Sequence, residues 1–132
     1  MPPLVATIAI ALTLAGAPHT RLTVLTQTGT SEATLHTSRA TLRCDGTQAS
    51  GTGYLHARAK QACRLVGRGT LQRVARAQRG QRLCSQIYSG PQHAHVTGRI
   101  GRTHVDLTVT RTDGCGTADW TTLEALLGDP QR

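Results

Sequence analysis

Four cysteines, Cys44, Cys63, Cys84 and Cys115, constrain this chain more than any other feature. Little else is available to brace a core, because the 132 residues hold no Phe, one Trp (Trp120) and two Tyr (Tyr54, Tyr88). The length is that of one domain, and a domain of this size buries a modest core, so covalent cross-links matter. No two cysteines stand in C-x2-4-C spacing, and none is paired with a nearby histidine in a finger pattern. Disulfides are therefore expected in place of zinc. Four cysteines allow three pairings, and spacing does not choose among them.

The beginning of the chain points to the compartment in which disulfides form. Residues 4–17, LVATIAIALTLAGA, carry no charge and close on the small-x-small pattern Ala15-Gly16-Ala17. Residues 1–17 read as a secretory signal peptide and 18–132 as the exported domain. The apolar run is shorter than the roughly 20 residues that a membrane span needs. The expected protein is secreted and extracellular, with no stable membrane insertion once the leader is removed.

The formal charge is +8, and arginine outnumbers lysine fourteen to one. No acidic residue lies between Asp45 and Asp106, a stretch that includes Arg64, Arg68, Arg73, Arg76, Arg79 and Arg82. Such a run can hold an anionic polymer. Without interleaved aromatics to stack on bases, the segment 64–82 reads as a solvated face, and no nucleic acid is expected as a partner.

Along the chain, RLTVLTQTG from Arg21 to Gly29 alternates as a strand does, and ATLRC from Ala40 to Cys44 runs into the turn signal Asp45-Gly46. The period then changes. From Tyr54 to Val66, Leu55, Ala59, Ala62, Cys63 and Val66 share one helical face, with Thr52 as N-cap and Gly67 as stop. Residues 67–81 read as a connection with weak helical character around Leu71 to Ala77. Strand alternation returns at His93 to Gly98 and His104 to Thr110, flanking a turn at 99–102. Trp120, Leu123, Leu126 and Leu127 then mark a short helix closing at Gly128. The expected fold is α+β: an antiparallel β-sheet with one main helix and a short C-terminal helix on one face.

Catalytic signatures are absent. There is no G-x-S-x-G, H-E-x-x-H or phosphate loop, and the seven acids include no close pair suited to proton transfer. His93, His95 and His104 are the conceivable metal ligands, if the hairpin sets His104 across from the other two. Exposed strand histidines are the plainer reading, so neither an enzyme nor a metal or other cofactor is expected.

What remains is LCSQIYSGP, residues 83–91, in which a cysteine precedes an aliphatic-Tyr pair and a Gly-Pro exit. A segment that enters a protease cleft must be exposed and stiff, because each mobile side chain ordered on binding costs about 0.5–1.5 kcal/mol. A disulfide beside the presented bond supplies stiffness, and Leu83, Ile87 and Tyr88 offer apolar anchors.

In order and content, RLTVLTQTG, TLRCDG, GTGYLHARAKQAC, LCSQIYSGP and AHVTGRIGRTHVDLTVTRTDGC resemble the Streptomyces subtilisin inhibitor-like family of secreted serine-protease inhibitors. The likeness runs from about Arg21 to Cys115, and its most specific element is Cys84, Ile87, Tyr88 and Pro91. The resemblance implies disulfides Cys44–Cys63 and Cys84–Cys115, the first closing a loop of about 20 residues and contributing about 3 kcal/mol. It implies an inhibitory reactive bond at Gln86–Ile87, with Gln86 in the primary specificity pocket and Leu83, Cys84, Ser85 and Tyr88 as further loop contacts. The implied partner is an extracellular serine protease. A neutral Gln86 and an apolar Leu83 favour a subtilisin-like enzyme over a trypsin-like one. The family also implies a homodimer. Three features depart from it: Ser85 stands where many members carry Pro, GTGY replaces GTHP before the helix, and the tail reads as helical where the family has an aromatic strand. The competing class is a basic secreted module that binds an anionic polymer or cell envelope.

Overall fold

The computed structural model describes Pro3 and residues 17–132. The signal-peptide reading of residues 1–17 therefore falls almost wholly outside the described residues. Five strands build one antiparallel sheet: β1 (Ala17–Thr28), β2 (His36–Gly46), β3 (Gln48–Gly51), β4 (His93–Ile100) and β5 (Thr103–Thr110). Their spatial order is β3-β2-β1-β4-β5, so β1 is central. It pairs with β2 through Leu22↔Leu42 and with β4 through Val24↔Val96, and β4 pairs with β5 through Val96↔Leu107.

The sheet follows from period-2 alternation. Leu22, Val24, Ala40, Leu42, Cys44, Ala94, Val96, Ile100, Leu107 and Val109 are buried on one face. Their neighbours Arg21, Arg39, Arg43, Arg99, His104 and Asp106 are exposed on the other. Four helices cover the apolar face: α1 (Ala59–Gly67), α2 (Thr70–Arg79), α3 (Gly114–Thr122) and α4 (Glu124–Leu127). Leu55, Ala62, Val66, Leu71, Trp120, Leu123, Leu126 and Leu127 complete the core against the strands. The expected α+β architecture is what the chain adopts.

The details differ from the reading of the sequence in four places. First, residues 54–66 are not one helix. A 3₁₀ turn (Gly53–Leu55) comes first, and α1 begins at Ala59. Leu55 is buried all the same, because the turn aims it at the core. The Tyr54 hydroxyl donates to the Leu126 carbonyl at 2.8 Å, which ties the turn to α4. Thr52 caps no helix with its side chain; its Oγ1 lies 2.7 Å from Thr41 Oγ1 on β2. Second, α1 does stop at Gly67, its last residue, but Gly67 is not the left-handed cap. The break falls at Gly69, whose φ of +76° favours glycine. Third, the weakly helical connection is a full helix, α2, in which Leu71 and Val74 are the buried residues. Fourth, the C-terminal helix starts earlier, at Gly114, and is split at Leu123 into α3 and α4. The polar strand β3 and the start of β1 before Arg21 carry no clear apolar alternation.

Both disulfides form. Cys44–Cys63 joins β2 to α1 with Cα atoms 5.7 Å apart, and Cys84–Cys115 joins the segment before β4 to the first turn of α3 at 5.2 Å. Two cross-links with no free cysteine among the described residues fit an oxidising environment. No described helix is long and apolar enough to cross a membrane.

Candidate functional site

Residues 81–90, between α2 and β4, form neither helix nor strand. In a small domain such a segment stays ordered only if something outside its own backbone holds it. Three sets of contacts do so, and they converge from the end of β5 and from α3.

Upstream, Arg82 donates to Asp119 from both guanidinium nitrogens, Nη1 to Oδ1 at 3.0 Å and Nη2 to Oδ2 at 2.9 Å. Asp119 lies on α3 and is 6% exposed, so the pairing satisfies a carboxylate removed from water. Its hydrogen bonds are the main reason the Arg82 guanidinium is held above its usual pKa. Gln78 Nε2 on α2 adds bonds to Asp119 Oδ2 at 3.2 Å and to the Thr108 carbonyl at 3.1 Å. In the middle, Cys84 is bonded to Cys115, and the Gly114 N–H donates to the Ser85 carbonyl at 2.9 Å. Asp113 caps α3 there, accepting from the Gly116 N–H at 2.8 Å.

Downstream, the Ser89 N–H donates to the Arg111 carbonyl at 2.9 Å, and Thr117 Oγ1 donates to Ser89 Oγ at 2.8 Å. Arg111 Nη1 donates to Gln92 Oε1 at 2.9 Å, and Gln92 Nε2, buried, donates to the Gly29 carbonyl at 2.7 Å. This knot explains the glycine at position 90. Its φ is +157°, and a Cβ there would collide with the Gln92 side chain.

Between the clamps stand the residues singled out from the sequence. Ser85, Gln86, Ile87 and Tyr88 are exposed, as is Leu83, and Cys84 is half-buried. Leu83 is 103% exposed, Ile87 69% and Tyr88 57%. Leaving three large apolar side chains in water next to a well-filled core is unfavourable unless a partner covers them. The backbone groups of Gln86, Ile87 and Tyr88 join no backbone hydrogen bond among the described residues. The Gln86 side chain makes only a long local bond, Nε2 to the Cys84 carbonyl at 3.4 Å. The arrangement is a short stretch with free backbone donors, free acceptors and exposed apolar side chains, pinned on both sides.

The histidines do not assemble. β4 carries His93 and His95, but the register sets His104 opposite Arg99. That is four residues from His95, roughly 13 Å at the rise of a strand. His95 Nε2 instead lies 2.6 Å from Asp106 Oδ1. The metal-like cluster found among the described residues is Cys84, Asp113 and Cys115, whose two sulfurs are bonded to each other.

Reading the sequence missed the clamps. Arg82 and Asp119 are 37 residues apart, and Arg111 meets Gln92 across 19. One sign was available: Asp119 is an acid directly before Trp120, which the helical spacing assigns to the core. A scan against protein-family models and a search of curated proteins find no match to this chain.

Proposed function

We propose that the protein is a secreted inhibitor of serine proteases that acts through residues 83–88, in the manner of the Streptomyces subtilisin inhibitor-like family it resembles. The observation that carries this reading is the combination at one place of exposure and restraint. The segment from Leu83 to Tyr88 offers apolar anchors to a partner, and α3 with the end of β5 holds it on both sides.

The mechanism follows from restraint. An enzyme cleft binds an extended peptide by strand-like backbone hydrogen bonds and takes side chains into pockets. Gln86, Ile87 and Tyr88 present unpaired backbone for those bonds. Gln86 fills the primary pocket, and the enzyme serine attacks its carbonyl carbon, breaking the Gln86–Ile87 bond to give an acyl-enzyme and a new amine at Ile87. In an ordinary substrate that amine diffuses away. Here Ser89 is tied to Arg111 and Thr117, while Cys84 is tied to Cys115. The amine stays beside the acyl group, so re-formation of the peptide bond competes with hydrolysis. Little ordering entropy is lost on binding, and an interface of about 1,600 Å² then suffices for tight association.

Gln86 is neutral and offers no ion pair to an acidic pocket, and Leu83 suits an enzyme with an apolar distal pocket. The target class is therefore subtilisin-like. The test is Gln86→Lys. Inhibition constants against subtilisin and trypsin should cross over, with trypsin affinity rising at least about tenfold, the usual minimum for a new charged hydrogen bond. Unchanged affinity for both enzymes would remove Gln86 from the pocket.

A further inference from the structure

The exposed face of the sheet carries a feature that the loop does not use. Ser50, Arg43, Arg21, Arg99 and His104 are mutual register partners, one from each strand in the order β3-β2-β1-β4-β5. All five are exposed. Three arginines therefore stand side by side on adjacent strands, about 4.8 Å apart at their backbones. Like charges directly opposite one another destabilise a sheet, and the two acids on this face, Asp45 and Asp106, are outnumbered by the three arginines. Of the acids on this face, Asp106 is held by His95, and Asp45 lies 3.8 Å from His19. Among the described residues Arg21, Arg43 and Arg99 form no ion pair. Arg99 Nη2 instead lies 3.1 Å from the His104 ring.

The surface around Arg21 and Arg43 is concave. A groove of about 420 Å³ is lined by Arg21 and Arg43 with the hydroxyl-bearing Thr23, Thr41 and Ser50. An adjoining one of about 300 Å³ shares Arg21, Arg43 and Ser50 and reaches the His19–Asp45 pair. Guanidinium forks beside hydroxyl donors match tetrahedral oxyanions, and a row of them matches a chain of such anions. None of Trp120, Tyr54 and Tyr88 lies on this face, so nothing there stacks on bases.

The geometry points to this row as a binding site for a linear phosphodiester polymer without bases, of the polyol-phosphate kind, laid across the strands from Arg43 to Arg99. The site lies on the opposite face of the sheet from the helices and is independent of the inhibitory loop. It makes a face-to-face homodimer through this surface unfavourable, since two arginine rows would meet.

The test is binding of the full folded chain to purified poly(glycerol phosphate), with single-stranded DNA of equal charge as the second probe. The expected result is binding that weakens with salt, with a log–log slope near about −2 for three contacts. Arg21→Gln, Arg43→Gln and Arg99→Gln should each weaken it about tenfold and lower the slope by about 0.7. Arg64→Gln and Arg76→Gln, on the helices, should leave it unchanged. Protease inhibition, measured on the same variants, should not move, which also reports that they are folded. The proposal is overturned if the polymer does not bind at about 50 mM salt. Equal binding by the three row variants, tighter binding of the DNA, or a dimer that buries Arg21 would overturn it as well.

Discussion

At the scale of single residues, the arrangement turns on a buried carboxylate. Asp119 is one of three buried residues of α3, with Gly116 and Trp120, and its two oxygens are met by Arg82 and Gln78. Without Arg82 the carboxylate would be left in a poorly hydrated position with one neutral donor, and the upstream end of the loop would lose its anchor. The Arg82 side chain is itself 30% exposed, so solvent moderates the loss. Arg82→Gln should lower unfolding free energy by about 2 kcal/mol. It should also raise the inhibition constant about tenfold by returning mobility to residues 83–85. Denaturant titration and inhibition assays on the same preparation measure both. Lost stability with unchanged inhibition would mean that the clamp serves the fold alone.

At the scale of elements, the loop is an appendage of α3 more than of the strand it leads into. Its disulfide, its Ser85 contact and its Thr117 contact all come from that helix or its cap. The Cys84–Cys115 bridge spans 31 residues. Replacing both cysteines by serine should cost about 3–4 kcal/mol and turn the proposed inhibitor into a substrate, read as faster loss of intact protein on incubation with subtilisin. Unchanged inhibition after this substitution would remove the rigidity argument. How far these elements are legible beforehand depends on the range of the interactions. β1, β4 and β5 show in the alternation of Leu22-Val24 and Leu107-Val109, because one face is buried and the other wet. The start of α1 does not show, because Leu55, Ala59 and Ala62 recur at a spacing that a 3₁₀ turn running into an α-helix also satisfies. α2 reads as a connection because it buries only Leu71 and Val74 amid arginines and glutamines. The exposed residues of the candidate site are recognisable from LCSQIYSGP itself, but their restraints come from contacts spanning 19 to 63 positions, which no local pattern encodes.

At the scale of the whole molecule, one titration reports on the packing of the turn before α1 against α4. Burial pushes the Tyr54 phenol up from its ordinary 10.0, with the charge of Arg58 pulling it part of the way back. The folded state thus keeps a proton that the unfolded chain releases. That contribution to stability is complete below pH 10 and is lost as pH rises through the folded value. Unfolding free energy should therefore be flat in Tyr54 terms through neutral pH and fall above about pH 10. Tyr54→Phe should flatten that alkaline slope, at a cost near about 1 kcal/mol for the lost bond to the Leu126 carbonyl. An identical alkaline slope in both proteins would show that the phenol is hydrated in solution.

The most direct test of the central proposal is to incubate the oxidised protein with a stoichiometric amount of subtilisin, following residual enzyme activity while mass spectrometry maps cleavage. The expected result is persistent inhibition, with one slow and incomplete cut between Gln86 and Ile87. Rapid digestion at other bonds by an enzyme that keeps its full activity would contradict it.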